Sequence, residues 1–81
     1  MYWDVVWVKP LDDFCIDVRL QDGSHGVFDM KPYLDQGIFQ ELREPAYFNS
    51  VGIQLGAVTW PHGQDIAPGT LHARLTTTAN A

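Results

Sequence analysis

Short runs of alternating apolar residues, turn residues between them, and a middle punctuated by proline and glycine predict a small α+β domain. The expected architecture is an antiparallel sheet of about five strands with two or three short helices packed on one face. The 81 residues leave room for one domain, read as 1–75, with 76–81 as a frayed tail that lacks a core residue of any size. A chain of this size buries about 60% of the surface its unfolded state exposes. A shallow surface or a small pocket is therefore expected, and a deep cleft is not.

Trp3 to Val8 is rich in Val and Trp and reads as the first strand, with Trp3, Val5 and Trp7 on one face. Pro10 ends it, and Asp12-Asp13 signals a turn. Phe14 to Leu20 alternates most clearly: Phe14, Ile16, Val18 and Leu20 point one way, Cys15, Asp17 and Arg19 the other. Asp22-Gly23 marks a hairpin, and Gly26 to Met30 returns. Setting Phe28 and Met30 beside Val18 and Ile16 requires a loop with an odd residue count, bulged at Gly23.

The middle changes period. Pro32-Tyr33-Leu34 suits one helical turn closed by Gly37. Ile38, Phe39 and Leu42 fall at helical spacing, and Pro45 stops that helix. Elements this short are stable only when packed on the sheet. Val51, Ile53 and Leu55 then alternate with Gly52 and Gln54 as another strand, and Gly56 turns the chain tightly into Ala57 to Trp60. Pro61-His62-Gly63 reads as a loop, and Pro68 opens a last short helix through Leu71. The apolar faces assign Ile16, Val18, Phe28, Phe39, Leu42, Phe48, Ile53 and Trp60 to the core.

Composition excludes several function classes. Apolar residues make up 46% of the chain, with three Trp, which excludes disorder of the main body. No apolar run approaches the roughly 20 residues of a membrane span, and Met1-Tyr2-Trp3-Asp4 lacks the basic and apolar segments of a signal peptide. The single Cys15 forms no internal disulfide, so a reducing cytoplasm is the simplest compartment. A net charge of −5, with the five bases scattered, argues against direct nucleic-acid binding.

Four segments in order give the sequence a family likeness: Val8-Lys9-Pro10-Leu11-Asp12-Asp13; Phe28-Asp29-Met30-Lys31-Pro32-Tyr33-Leu34; Gly37-Ile38-Phe39 with Leu42 and Pro45-Ala46-Tyr47-Phe48; and Trp60-Pro61 with Gly63, Asp65-Ile66, Pro68 and Leu71. From Val8 to about Leu75 the chain resembles the small bacterial family called domain of unknown function 2442. His62, Gly69 and His72 depart from that family's usual Asn, acid and Tyr. The resemblance implies a small α+β fold with an antiparallel sheet. It implies no established activity and no catalytic residues. Some relatives resemble the front half of a protein with a helix-turn-helix behind, and others one gene of an adjacent pair of toxin–antitoxin type. No helix-turn-helix fits in this chain, whose core uses everything up to Leu71.

No catalytic constellation is legible. His25, His62 and His72, with Asp29 or Asp65, match no standard metal-ligand spacing. Arg19 shares the strand face of Cys15 but lies roughly 13 Å away along it, too far to activate a thiol. Ser24 and Ser50 show no base-and-carboxylate partners. Asp12-Asp13, and the pair Asp17 and Asp29, read as solvated surface acids. No glycine-rich phosphate cradle is present, and no cofactor is implied.

The loop from Trp60 to Asp65 is the most distinctive segment. Trp60 can cap the core and Asp65 can tie the loop or cap the last helix; alternatively the aromatic and the polar loop form a recognition surface. Tyr47 and Phe48 read as core or half-core. The expectation is a non-enzymatic module that binds another protein, self-association included, with Trp3, Trp60, His62 and Asp65 as candidate binding residues. Two alternatives stand beside it: an antitoxin-like or transcription-associated regulatory partner, and a metal-binding or enzymatic protein using His62, Asp65 and His72.

Overall fold

The computed structural model describes residues 3–75. The fold is α+β and antiparallel, but the strands form two three-stranded sheets rather than one sheet of five. The first sheet comprises β1 (Val5–Pro10), β2 (Cys15–Leu20) and β3 (His25–Asp29), in that order. The second comprises β4 (Gly52–Gln54), β5 (Ala57–Thr59) and β6 (Asp65–Ile66). Between them run 3-10 segments at Lys31–Tyr33 and Gly37–Arg43 and the helix α1 (Pro45–Phe48); α2 (Pro68–Arg74) follows β6. The helical middle carries the chain away from β3, so β4 starts a new ladder. β1 cannot join the two ladders either. It carries Pro10 and an irregularity near its start, and it is tied to the second sheet through a backbone bond to the β4–β5 turn, Val5 N–H to Gly56 O at 2.8 Å, rather than through a ladder.

That irregularity is a β-bulge. Val5 pairs with Leu20 and Trp7 with Arg19, leaving Val6 as the extra residue. Val8 then pairs with the buried Val18. Val5 and Val8 thus face the core three positions apart, and Trp7 turns to the outer face, where the Arg19 guanidinium lies 4.8 Å from its ring centre. The expectation that Trp3, Val5 and Trp7 share a face fails because simple alternation cannot register one inserted residue.

The β2–β3 hairpin has the odd loop the sequence called for. Leu20 donates its N–H to Ser24 O and Gly23 donates to Leu20 O, with Gly23 at φ 92°. Phe28 faces Ile16, and Met30 donates to Phe14 O, two residues beyond the expected register but on the expected face. From β1 to β2 the chain reverses through Asp13 and Phe14, both left-handed at φ 64° and 59°. Such a conformation costs about 1–2 kcal/mol per residue. Lys31 offsets that cost by donating to both the carbonyl and the carboxylate of Asp13 at 3.0 Å.

Ile16, Val18, Phe28, Leu42, Phe48 and Trp60 are buried together with Leu20, Met30, Val58, Ile66 and Leu71. Two expected core residues differ. Ile53 faces the core opposite Val58, but β4 is an edge strand, so it stays 41% exposed. Phe39 is half-buried beside Tyr33, at the margin of the core: on this 3-10 segment residues three apart align, so Phe39 keeps the stripe of the buried Leu42 while Ile38 leaves it and is exposed. Pro45 begins α1 rather than merely ending the preceding helix, the position where a missing N–H costs nothing. The expected tail, 76–81, lies outside the described residues.

Candidate functional site

Two reversals flank β5, and of the residues suspected from sequence Trp60, His62 and Asp65 fall in one of them, whereas Trp3 and His72 lie elsewhere. The Trp60–Asp65 loop is closed by Trp60 N–H to Gln64 O at 2.9 Å and Gly63 N–H to Trp60 O at 3.0 Å, with Gly63 at φ 101°. Trp60 lies in the core, and its indole N–H donates to Phe48 O at 2.9 Å. Gln64 is 1% exposed and fully engaged. Its amide donates to Ile38 O at 2.9 Å and to Glu41 Oε1 at 2.8 Å, and its carbonyl accepts from the Tyr47 hydroxyl at 2.5 Å. The Tyr47 hydroxyl also accepts the His62 backbone N–H at 2.8 Å. Gln64, not Asp65, ties the loop down.

The His62 side chain is exposed. Its Nδ1 faces Glu41 Oε2 at 2.5 Å, and its ring lies 4.9 Å from that of Tyr47. The Gln64 amide, and then His62, hold the Glu41 carboxyl below its ordinary range. Asp65 opens β6 opposite Thr59 and is exposed; it caps no helix.

His72 stands with other partners. Its ring stacks on Trp3 at 4.3 Å, and its Nε2 is 3.4 Å from Asp22 Oδ2. Asp22 is held below the ordinary carboxylate range chiefly by the Ser24 backbone N–H, with His72 a smaller contributor. His62, Asp65 and His72 are therefore not brought together. Among the described residues no three His, Cys, Asp or Glu side chains are grouped to hold a metal. Cys15, half-buried, lies 3.7 Å from Lys31 Nζ, a neighbour thirty-first in the chain that strand spacing alone did not reveal. Asp13 and Asp29 already claim that ammonium, at 3.0 and 3.1 Å.

The other reversal is the β4–β5 turn. Gln54 pairs with Ala57, so the loop is the two residues Leu55-Gly56, at φ 52° and 78°. That is a hairpin turn whose first position favours Asn, Asp or Gly. Gly56 has a local reason: a Cβ there would stand 2.6 Å from the Asp4 carboxyl carbon. Leu55 has none, and it is 96% exposed. Ile53 on the same hairpin is also exposed, as are Val6 at 58% and Trp7 at 37% on β1, which packs beside β4 and β5. Sequence reading placed Leu55 on the apolar face of a strand. The missed signal was Leu-Gly as the whole of a two-residue loop, with leucine where a small polar residue belongs.

No helix among the described residues is long and apolar enough to cross a membrane. No curated protein and no solved structure matches the chain. The family described as protein of unknown function (DUF2442) matches residues 5–77. That span holds both sheets, the helical middle and α2, and on it the chain belongs to this family.

Proposed function

We propose that this domain is a non-enzymatic interaction module that binds another protein through the rim made by the β4–β5 turn and the outer face of β1. The observation that carries the reading is Leu55. An exposed leucine is ordinary in itself. A leucine left almost wholly in water, in a left-handed conformation that costs about 1–2 kcal/mol for a residue with a side chain, is not. Strain kept at an exposed position points to a use for the side chain. Ile53, Val6 and Trp7 supply further exposed apolar surface on the adjoining elements, of the kind that marks contact sites. The single cysteine supports a reducing, cytoplasmic setting, and the family resemblance a bacterial one.

The test is affinity capture from the source cells with wild type and Leu55→Asn in parallel, read by mass spectrometry. Asn suits the turn, so the fold is kept. Partners recovered by wild type are expected to be lost by the variant. Retention of every one of them overturns the reading.

A further inference from the structure

We infer that the partner presents a lysine or arginine side chain, seated in the concavity beside Leu55 with its cation on Asp65. This rests on the interaction reading above and names the chemistry of what is bound. Val58 is buried, so Ala57 and Thr59, its neighbours on β5, point to the outer face of the second sheet. Gln54 stands opposite Ala57 and Asp65 opposite Thr59, which brings four side chains onto that face. With Leu55 and Gly63 they line a concavity of about 340 Å³.

Of these lining residues Asp65 alone carries a charge. Asp13, Asp22, Asp29, Asp35 and Glu41 each have a cationic or histidine partner; Asp12, Asp17 and Glu44 have none among the described residues, but none of those three lines this concavity. Among the described residues no hydrogen bond or ion pair reaches the Asp65 carboxylate. Leu55 and Ala57 offer apolar surface beside that carboxylate. A long side chain with an aliphatic stem and a cationic head matches this pattern: the stem covers Leu55 and Ala57 while the head meets Asp65. An acidic segment would meet like charge in a chain of net charge −5. A purely apolar segment would bury a carboxylate with no partner, which is unfavourable.

The experiment titrates the isotope-labelled chain with two tripeptide probes, acetyl-Leu-Lys-Leu-amide and acetyl-Leu-Glu-Leu-amide, and follows the backbone amide NMR signals. The lysine probe is expected to shift the amides of residues 54–59 and 63–65 saturably, and the glutamate probe to leave them in place. Asp65→Asn should weaken the lysine probe several-fold, Asp65→Glu should restore part of the loss, and Leu55→Asn should also weaken it. A lysine probe that shifts none of these amides, an equal response to the glutamate probe, or full affinity in Asp65→Asn overturns the inference. Capture with the two variants separates this failure from that of the parent reading. If Leu55→Asn loses the captured partners and Asp65→Asn keeps them, the interaction reading stands and the cation site falls; if both keep them, both fall.

Discussion

The two reversals on either side of β5 handle their side chains in opposite ways. In the Trp60–Asp65 loop a polar side chain, Gln64, is drawn inside and every polar group on it finds a partner. In the Gln54–Ala57 turn an apolar side chain, Leu55, is pushed outside at a conformation that suits another residue. The first arrangement is self-sufficient: its hydrogen bonds end on Ile38, Glu41 and Tyr47 of the same chain. The second leaves apolar surface unmatched within the chain. A segment can therefore be the most distinctive in the sequence and still spend its polar groups within its own chain, while a plain Leu-Gly pair carries the exposed apolar surface on which the proposed interaction rests.

Four measurements break or sharpen this contrast. Trp60→Ala removes the anchor of the first loop and should cost about 3–5 kcal/mol, enough to unfold much of so small a domain; an unchanged urea midpoint would contradict a core role. Gln64→Ala leaves the Ile38 carbonyl without its side-chain donor and the Tyr47 hydroxyl without its acceptor, and should cost about 1–3 kcal/mol in the same assay. Leu55→Asn should act in the opposite direction. Relief of the left-handed strain is expected to stabilise by about 1 kcal/mol, which raises Tm by roughly 4–8 °C in a domain of this length. A lower Tm in that variant would show that Leu55 is structural after all.

The smallest effect concerns acid. The folded pKa values of Asp22, Asp29 and Glu41 are lowered, first by the Ser24 N–H, the Lys31 N–H and the Gln64 amide respectively. Groups with lowered folded pKa values add stability that is present above their unfolded values, 3.8 for Asp and 4.5 for Glu, and is lost as pH falls through the folded ones. Urea midpoints should therefore decline below about pH 4.5, with a shallower decline in Glu41→Gln. All three groups sit at the surface, so solvent screening keeps the effect modest. Equal slopes in wild type and Glu41→Gln would remove the lock on the first loop from the acid response.

Much of the fold was legible because period-two alternation survives in β2 and β3, where Ile16, Val18 and Phe28 fall on one buried face. The odd hairpin loop followed from the same argument. What escaped depends on long-range geometry. One inserted residue at Val6 reverses the faces of everything beyond it in β1. The two residues of β6 are too few to show a period. The division into two sheets depends on where the helical middle delivers β4, which no local pattern records. At the site, Asp65 and His62 were visible as polar residues in an unusual loop. Gln64 was not, because glutamine carries no signal of burial, and its partners Ile38, Glu41 and Tyr47 lie between 17 and 26 positions away.

The bond from Val5 to Gly56 has a consequence for how the chain is made. On the ribosome the β2–β3 hairpin can close as soon as it emerges, since its partners are neighbours in sequence. β1 can pair with β2 early, yet its other flank has to wait until the β4–β5 turn is synthesised, and Trp3 waits longer still for His72. Non-local closures of this kind slow folding. During that interval the apolar end of β1 stands open to other chains. Nascent copies held close together on one message are thus vulnerable to mispairing at β1, a strand that emerges before β2 and waits for the β4–β5 turn to cover its other flank.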